Sequence, residues 1–273
     1  MAALTHLVVL DFEATCDDVD PPRPQEIIEL PSVLLSTADW SVVDEFESFV
    51  RPVHHPKLTA FCTELTSIEQ AQVDGAPIFA DVLEAHLAWL RSHGLPTEGE
   101  LPYALVTCGD WDLQTMLPAQ LAAMDPPMRW VPAPYRRWIN VKVPFRRWTP
   151  KKVPAGMVRM LEALGIELEG RHHRGIDDSR NIAKIVRALV GHGQAMEITS
   201  ELRANRYPPV SIVLERDGER VELVLEKRAM KTLLGAAHGA FRHRATAIAH
   251  GERRLTEDAD LCDLRDGDVL LVR

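Results

Sequence analysis

Cysteine is scarce in this chain, and long apolar runs are missing. The four cysteines are widely spaced over 273 residues, which suits neither a zinc cluster nor a disulfide framework and predicts reduced thiols. No apolar run approaches the roughly 20 residues of a membrane span, and no basic leader or cleavage site is present, so we expect neither insertion nor export. A glycine-rich phosphate loop of the Walker type is also missing, which disfavours a nucleotidyl transferase or phosphatase. These absences predict an intracellular protein, cytoplasmic or nuclear.

Charge is unevenly distributed along the chain. The formal net charge is −9, yet residues 126–161 contain nine Lys or Arg and no acid. Such segregation leaves a local positive field. Trp138 and Trp148 lie between the cations, a pattern that suits a nucleic-acid backbone; a solvated basic face is the alternative. The candidate backbone contacts are Arg136, Arg137, Lys142, Arg146, Arg147, Lys151 and Lys152.

The pattern of apolar residues predicts an α/β domain over residues 1–202. Residues 5–10, 26–36, 42–51 and 103–107 have the composition of strands, and residues 80–90, 112–124, 157–164 and 178–190 have helical spacing. Residues 136–152 are expected to be a basic irregular stretch. Successive strands followed by alternating helix and strand indicate a mixed sheet with helices on its faces.

A second, smaller domain is predicted after a linker at residues 203–209, which contains paired prolines. Alternating residues about Asp217-Gly218 predict a β-hairpin. A helix at 229–241 and strands at 245–249 and 268–272 follow. This succession resembles the ubiquitin-like β-grasp fold, and the ending LRDGDVLLV is similar to that family. The resemblance implies an α+β domain over residues 210–273.

Carboxylates follow the first predicted strand. Asp11 and Glu13 are two residues apart, so a strand period of two turns both side chains to the same side. Hard cations such as Mg²⁺ prefer oxygen ligands of this kind. A solvated strand end is the alternative interpretation of the pair.

Two further clusters each contain more acidic or histidine side chains than one site needs. Asp110 and Asp112 follow the strand at 103–107, and we expect Asp112 to bind metal and Asp110 to cap the helix. His172 and His173 precede Asp177 and Asp178 at the start of the last helix of this domain. A histidine base beside an aspartate could complete a metal site, whereas simple helix capping is the alternative.

Six motifs, in order, resemble those of the DEDDh exonucleases, in particular the Eri family that includes the histone-mRNA 3′-end exonuclease. The resemblance covers about the first 200 residues. The motifs are LDFEATC at residues 10–16, EIIELPSVLL at 26–35, FCTELTSIEQAQVD at 61–74, GDWDLQTML at 109–117, WINVK at 138–142 and GRHHRGIDDSRNIAKI at 170–185.

The resemblance implies an RNase H-like fold and a magnesium-dependent 3′-5′ exonuclease with two Mg²⁺ (or Mn²⁺). The metal ligands would be Asp11, Glu13, Asp112 and Asp178. The five-residue step between histidine and aspartate in the family motif selects His173 as general base. Hydrolysis from the 3′ end would release nucleoside 5′-monophosphates, more readily from single-stranded RNA than from DNA. The terminal-nucleotide pocket would be lined by Ala14, Thr15, Leu65, Thr66 and Trp111, although an aromatic at a helix start is more often core.

Two alternatives remain open from the sequence. One is an RNA-binding adaptor whose C-terminal domain recruits a protein partner, and the other is an exonuclease directed at DNA. Retention of all five site residues argues against the adaptor as the whole function. RNA is favoured over DNA only by the resemblance, since contacts to a 2′-hydroxyl cannot be read from one chain. No membrane partner is expected.

Overall fold

The computed structural model describes residues 4–149, 156–203, 206–242 and 245–273. The chain divides into two compact units, Met1–Gln120 with Pro132–Glu201 and Leu121–Val131 with Leu202–Arg273. One domain was expected over residues 1–202, whereas Leu121–Val131 belongs to the second unit. Among the described residues, no helix has the length and apolar character needed to cross a membrane.

The first unit is built on a mixed sheet, which has seven strands in the described part of the chain. The strands are β1 (His6–Val9), β2 (Glu13–Ala14), β3 (Ile27–Ser36), β4 (Val42–Phe49), β5 (Tyr103–Thr107), β6 (Arg137–Asn140) and β7 (Ser200–Glu201). They lie in the order β2-β3-β1-β5-β6-β7, with β4 also paired to β3. Strands β1, β5 and β6 run parallel, whereas β3 is antiparallel to β1. The carboxyl ends of the three parallel strands therefore meet at one edge of the sheet.

The centre of this sheet is covered on both faces. Strands β1 and β5 are flanked by other strands; Leu7, Val9, Ala104 and Val106 lie in the core on one face, and Val8 and Leu105 are fully buried on the other. Such strands have near-continuous apolar sequences because neither face meets water. Strand β4 pairs only with β3, and most of its residues are exposed. The apolar run at residues 7–10 thus follows from the central position of β1.

Seven helices precede residue 192 in the described ranges: α1 (Ala60–Thr66), α2 (Gln70–Asp74), α3 (Phe79–Ser92), α4 (Leu117–Ala123), α5 (Lys142–Trp148), α6 (Met157–Leu164) and α7 (Gly175–Gly191). Helix α7 packs against β3, β1 and α6. Its apolar residues Ile182, Val186 and Leu189 enter the same core as the central strands, which explains their helical spacing. This packing sets the first turn of α7 beside the carboxyl end of β1.

The second unit has a five-stranded sheet in the order β11-β10-β12-β8-β9. Strands β8 (Val210–Arg216) and β9 (Glu219–Leu225) form a hairpin, and helix α8 (Met230–Phe241), β10 (Ile248–His250), β11 (Arg253–Leu255) and β12 (Asp268–Val272) follow. Asp217 and Gly218 have φ of 51° and 86°, as a two-residue hairpin turn with positive φ requires. Strand β12 is parallel to β8 in the middle of the sheet.

A buried arginine joins three segments of the second unit. The Arg228 guanidinium donates to the carbonyls of Leu261 at 2.7 Å and Leu264 at 2.8 Å, and also to the carbonyl of Arg129. Because Arg129 lies in Leu121–Val131, this bond attaches that segment to the rest of the unit. Bonds to charged groups are worth about 1.5–3 kcal/mol each.

Several elements differ from the sequence predictions. The stretch predicted as irregular, residues 136–152, contains β6 and α5. Helix α7 begins at Gly175, three residues before the predicted start at 178. In the predicted linker, Tyr207 and Pro208 are buried. The short strands β2, β7 and β11 were not predicted, because two or three residues carry no periodic pattern.

Candidate metal and catalytic site

Two carboxylates extend from the carboxyl end of β1. Leu10 donates its N–H to Val106 of β5 at 3.0 Å, which fixes the backbone just before Asp11. Glu13 begins β2, where it pairs with Glu29 of β3. Asp11 is half-buried and Glu13 is buried. The structure thus places both side chains at the edge of the sheet that the strand pattern indicated.

Asp112 comes to the same edge from β5. It begins a π-helical turn, Asp112–Met116, which continues into α4. Its Oδ1 accepts a hydrogen bond from the N–H of Phe12 at 3.0 Å. Since Phe12 separates Asp11 from Glu13, this bond holds the third carboxylate beside the first two.

The first turn of α7 fits closely against Asp11. A Cβ on Gly175 would lie 2.8 Å from the carbonyl oxygen of Asp11 and 3.0 Å from Cγ of Pro31, so a larger residue could not occupy this position without a shift. Glu29, which is fully buried, accepts hydrogen bonds from the N–H groups of Gly175 at 3.1 Å and Ile176 at 3.2 Å. A carboxylate at a helix N-terminus is favoured by the helix dipole. Glu29 and Gly175 together set the position of the helix that carries Asp178.

Asp178 joins the cluster from α7 and is bonded to both histidines. Its Oδ2 accepts from Nδ1 of His172 at 2.9 Å and from the backbone N–H of His173 at 2.9 Å. The two imidazole rings stack with centroids 3.8 Å apart. His173 is exposed and has a positive φ of 67°. Its ring therefore faces solvent beside the carboxylates, whereas His172 orients Asp178.

Two groups of ligand atoms are close enough to share an ion. Asp11, Glu13 and Asp178 each offer an oxygen within 4.8 Å of the others, and His172, His173 and Asp178 form a second such group. Asp112 belongs to neither group, although its charge acts on Asp11. The structure therefore brings all five predicted residues to one edge, with Asp178 common to both groups.

Burial and mutual repulsion make the charged cluster unfavourable without a cation. Burial, followed by repulsion from Asp11, raises the pKa of Glu13 to about 10. Burial likewise raises the pKa of Asp112 to about 6 and shifts the pKa values of Asp11 and Asp178 upward. A divalent cation would offset both effects by favouring the ionised carboxylates. The donor set consists of oxygen atoms with imidazole alongside, which fits Mg²⁺ or Mn²⁺.

Comparison with known proteins agrees with this geometry. The RNase_T model, described as Exonuclease, matches residues 8–186. The chain belongs to this exonuclease family. ERI1 exoribonuclease 3 of Homo sapiens is 41% identical over 196 residues, covering 72% of this chain and 57% of that protein. The 3'-5' exoribonuclease 1 of Homo sapiens is 36% identical over 218 residues, covering 78% of this chain and 60% of that protein. The chain thus matches less than two thirds of these relatives.

Solved structures of the exonuclease family have the same fold. The nuclease domain of 3'hExo, described as a DEDDh family member bound to rAMP, is 34% identical with a TM-score of 0.67, covering 73% of this chain and 98% of that one. A structure described as 3'-end specific recognition of histone mRNA stem-loop by 3'-exonuclease is 31% identical with a TM-score of 0.67, covering 81% of this chain and 71% of that one. The expected family and the mixed α/β sheet of an RNase H-like exonuclease are confirmed.

Asp110 and Asp177, the aspartates not expected to bind metal, are hydrogen-bonded within the fold. Asp110 was expected to cap a helix. Its Oδ1 instead accepts hydrogen bonds from Nε1 of Trp138 at 3.0 Å and from Oγ of Ser200 at 2.7 Å. Asp177 accepts from the N–H of Arg171 at 3.0 Å and pairs with Arg180 at 3.2 Å. Both carboxylates are thereby held away from the shared cluster.

The residues expected to bind the terminal nucleotide differ in exposure. Ala14 is buried in β2, and Leu65 is half-buried at the end of α1. Thr15 accepts from the N–H of Glu26 at 3.0 Å, and Thr66 donates to the Cys62 carbonyl at 2.8 Å, so both hydroxyls are already bonded within the fold. Trp111 is 42% exposed; the core interpretation of Trp111 is therefore wrong, and its indole is open to stacking.

The basic residues that the structure describes do not form one face. Arg137 begins β6 and lies at the sheet edge opposite to the carboxylates, with Arg136 beside it; both line a separate cavity of about 530 Å³. Trp138 is fully buried and Trp148 stacks on His192 with centroids 5.0 Å apart, so the expected interleaved stacking on a nucleic acid is wrong for Trp138. Arg146 and Arg147 are exposed on α5, while Lys151 and Lys152 lie outside the described residues.

Two residues at the site have roles that the sequence analysis did not assign. Lys142, expected on the nucleic-acid backbone, has its ammonium near the cluster and partly offsets the rise that burial causes in the pKa values of Asp11 and Asp112. Glu29 caps α7 although it was read only as part of a strand motif. A charged residue inside the otherwise apolar run IIEL was the available signal, because buried charges are retained only when partnered.

Proposed function

We propose that this chain is a metal-dependent 3′-5′ exonuclease. The observation that carries the proposal is the convergence of Asp11, Glu13, Asp112 and Asp178 at one sheet edge, beside an exposed His173. Distant segments supply these side chains, and packing against Asp11 through Gly175 brings the last of them into place. An arrangement that leaves three buried carboxylates and one half-buried carboxylate in mutual repulsion is costly unless it serves a cation.

Each residue has a separate task in phosphodiester hydrolysis. The four carboxylates would hold two Mg²⁺ (or Mn²⁺), which supply Lewis-acid activation of water and stabilise developing negative charge. His173 accepts the proton of the attacking water. His172 keeps Asp178 oriented through its 2.9 Å bond. Water becomes bonded to phosphorus as the bond from phosphorus to the 3′ oxygen of the preceding nucleotide breaks, which releases a nucleoside 5′-monophosphate.

RNA is the proposed substrate, with the single-stranded 3′ end as the point of attack. Relatives at 36–41% identity are named exoribonucleases, and one solved relative holds rAMP. The exposed indole of Trp111 adjoins Asp112 and could stack on a terminal base, worth roughly 1–3 kcal/mol. The pocket for the terminal nucleotide would be lined by Ala14, Thr15, Leu65 and Thr66. Arg146 and Arg147 remain candidates for backbone phosphates.

The proposal is tested by digesting matched 5′-labelled RNA and DNA oligomers. Each oligomer is prepared with and without a free 3′-hydroxyl and incubated in magnesium or in chelator. We expect stepwise shortening of RNA from the free 3′ end, only with magnesium. Faster shortening of DNA would favour the DNA-directed alternative. Binding of RNA without any magnesium-dependent shortening would instead favour the adaptor.

We also infer that the second unit has a ubiquitin-like β-grasp fold that serves as a site for a protein partner. Support comes from the order β11-β10-β12-β8-β9, the parallel pair of β8 and β12, and the helix α8 that follows the first hairpin. An experimental structure of the full chain tests the fold. A β12 strand at the sheet edge, or antiparallel to β8, would contradict it.

A further inference from the structure

Two cysteines from different segments are in contact near the site. Cys16 follows β2, and Cys62 lies in the first turns of α1. Their thiols interact with each other, the Cys62 thiol donates to the Ala14 carbonyl at 3.8 Å, and Cys16 packs against the apolar cluster that contains Cys62. The segments are joined further by the Thr59 hydroxyl, which donates to the Cys16 carbonyl at 2.8 Å. Both sulfurs are free thiols.

The pair meets solvent through Cys16, whereas Cys62 is buried. Cys16 and Cys62 both line a cavity of about 440 Å³, and Cys16 is itself half-exposed. Arg23 and Lys57 line the same cavity. His55, also in the wall, has an Nε2 atom without a hydrogen-bond partner among the described residues.

We propose that Cys16 and Cys62 are a modification site, at which a hydroperoxide converts the thiol pair into a disulfide and thereby slows hydrolysis. The site is distinct from the carboxylate cluster and uses neither its ligands nor its cations. The effect on rate rests on the proposed function, whereas formation of the disulfide does not.

The oxidation balances with hydrogen peroxide as the oxidant. One thiolate attacks a peroxide oxygen, the O–O bond breaks, and the leaving hydroxide takes up a proton to become water. The resulting sulfenic acid is attacked by the second thiolate, and its S–O bond breaks to release another water. Two thiols and one peroxide thus give one disulfide and two waters.

A disulfide would move segments that flank the site. Its bond length is roughly 2.05 Å, much shorter than a contact between two unbonded thiols, so the segment that follows β2 and helix α1 must be drawn together. Glu13 lies in β2, and the last turn of α1 carries Leu65 and Thr66. Misplacement of a site by about 1 Å can cost about a hundredfold in rate. We expect the oxidised chain to be slower by at least about tenfold.

The test uses the full chain, treated with hydrogen peroxide and then with N-ethylmaleimide to block free thiols. Peptide mapping should show Cys16 and Cys62 joined, while Cys108 and Cys262 carry the alkyl group. Hydrolysis of 5′-labelled RNA should fall on oxidation and recover with dithiothreitol. Cys16→Ser should keep its rate in peroxide, whereas the matched variant Cys262→Ser should be slowed like the original chain.

Separate results overturn the two parts of the proposal. Recovery of Cys16 and Cys62 as singly alkylated or over-oxidised peptides, with no linkage, rules out the disulfide. Linkage with an unchanged rate rules out its effect on hydrolysis. A reduced chain without exonuclease activity would contradict the proposed function, whereas the peptide masses decide the modification site independently.

Discussion

Single carboxylate side chains at the proposed cation site lower the stability of the metal-free fold. Glu13 and Asp112 have pKa values raised to about 10 and about 6, mainly by burial. A raised pKa means that the folded protein disfavours the ionised form. The carboxylates of the proposed site therefore destabilise the metal-free fold. Their replacement should lower activity and raise the stability of the metal-free protein.

Replacing Asp178 by Asn should abolish turnover and stabilise the metal-free protein. The amide keeps the shape of the carboxylate but removes a metal ligand and a repelling charge. We expect the rate of RNA hydrolysis in magnesium to fall by about a thousandfold or more, since a lost metal site costs several kcal/mol. The unfolding temperature in chelator at pH 8 should rise.

The matched control for Asp178→Asn is Asp18→Asn, because Asp18 is exposed. That variant should change neither measurement. Near-normal hydrolysis by Asp178→Asn would refute its assignment as a ligand.

The two neighbouring histidines should be separable by mutation. His173→Ala removes the proposed base, and we expect kcat to fall by about 10²–10⁴-fold with little change in KM. His172→Ala removes only the bond that orients Asp178, so its rate should fall less and its affinity for Mn²⁺ should weaken. Steady-state kinetics and metal titration of both variants check this. The reverse order of rate losses would assign the base to His172.

Among the secondary-structure elements, α7 determines whether the site is assembled. Its first turn touches the backbone of Asp11 through Gly175 and is capped by Glu29. The helix then continues into the core on β3 and β1. Small displacements of this helix therefore move Asp178 relative to the carboxylates of the sheet.

Gly175→Ala should impair both stability and activity. The added Cβ would be 2.8 Å from the Asp11 carbonyl oxygen, so α7 must shift. We expect a lower unfolding temperature and a rate of RNA hydrolysis reduced by about 10–100-fold. Gly191→Ala, at the other end of the same helix, places its Cβ in open space and should leave both unchanged. Equal behaviour of the two variants would show that the close approach is unimportant.

The sequence predicted the long elements better than the short elements, and the roles of the five site residues stay predictions. Strand β1 and helix α7 have periodic apolar residues over many positions, so their patterns are strong. The register that brings Gly175 against Asp11 depends on tertiary packing and leaves no local pattern. The same limit applies to Trp138, whose basic neighbours suggested a surface position although its side chain fills the core.

For the folded chain as a whole, the charge cluster makes stability depend on pH and metal together. Glu13 has its pKa raised from 4.5 to about 10. A raised carboxyl pKa contributes stability below the unfolded value, and this contribution is lost as pH rises toward the folded value.

In chelator, we therefore expect the contribution of this cluster to stability to decline between about pH 5 and pH 10. Added Mg²⁺ should raise the unfolding temperature more at pH 8 than at pH 6. Thermal melts at the two pH values, with and without magnesium, measure this. The Glu13→Gln variant should lose most of the difference, and a magnesium effect that is equal at both pH values would contradict the expectation.

Proton release on metal binding is the most direct measure of whether these carboxylates converge on a cation. Mn²⁺ is titrated calorimetrically into the full chain at pH 7.5 in buffers with different ionisation enthalpies. A protonated Glu13 must ionise to bind metal, so the apparent enthalpy should vary with the buffer and correspond to release of about one proton. Binding without buffer dependence, or no binding at millimolar Mn²⁺, would contradict the proposed site.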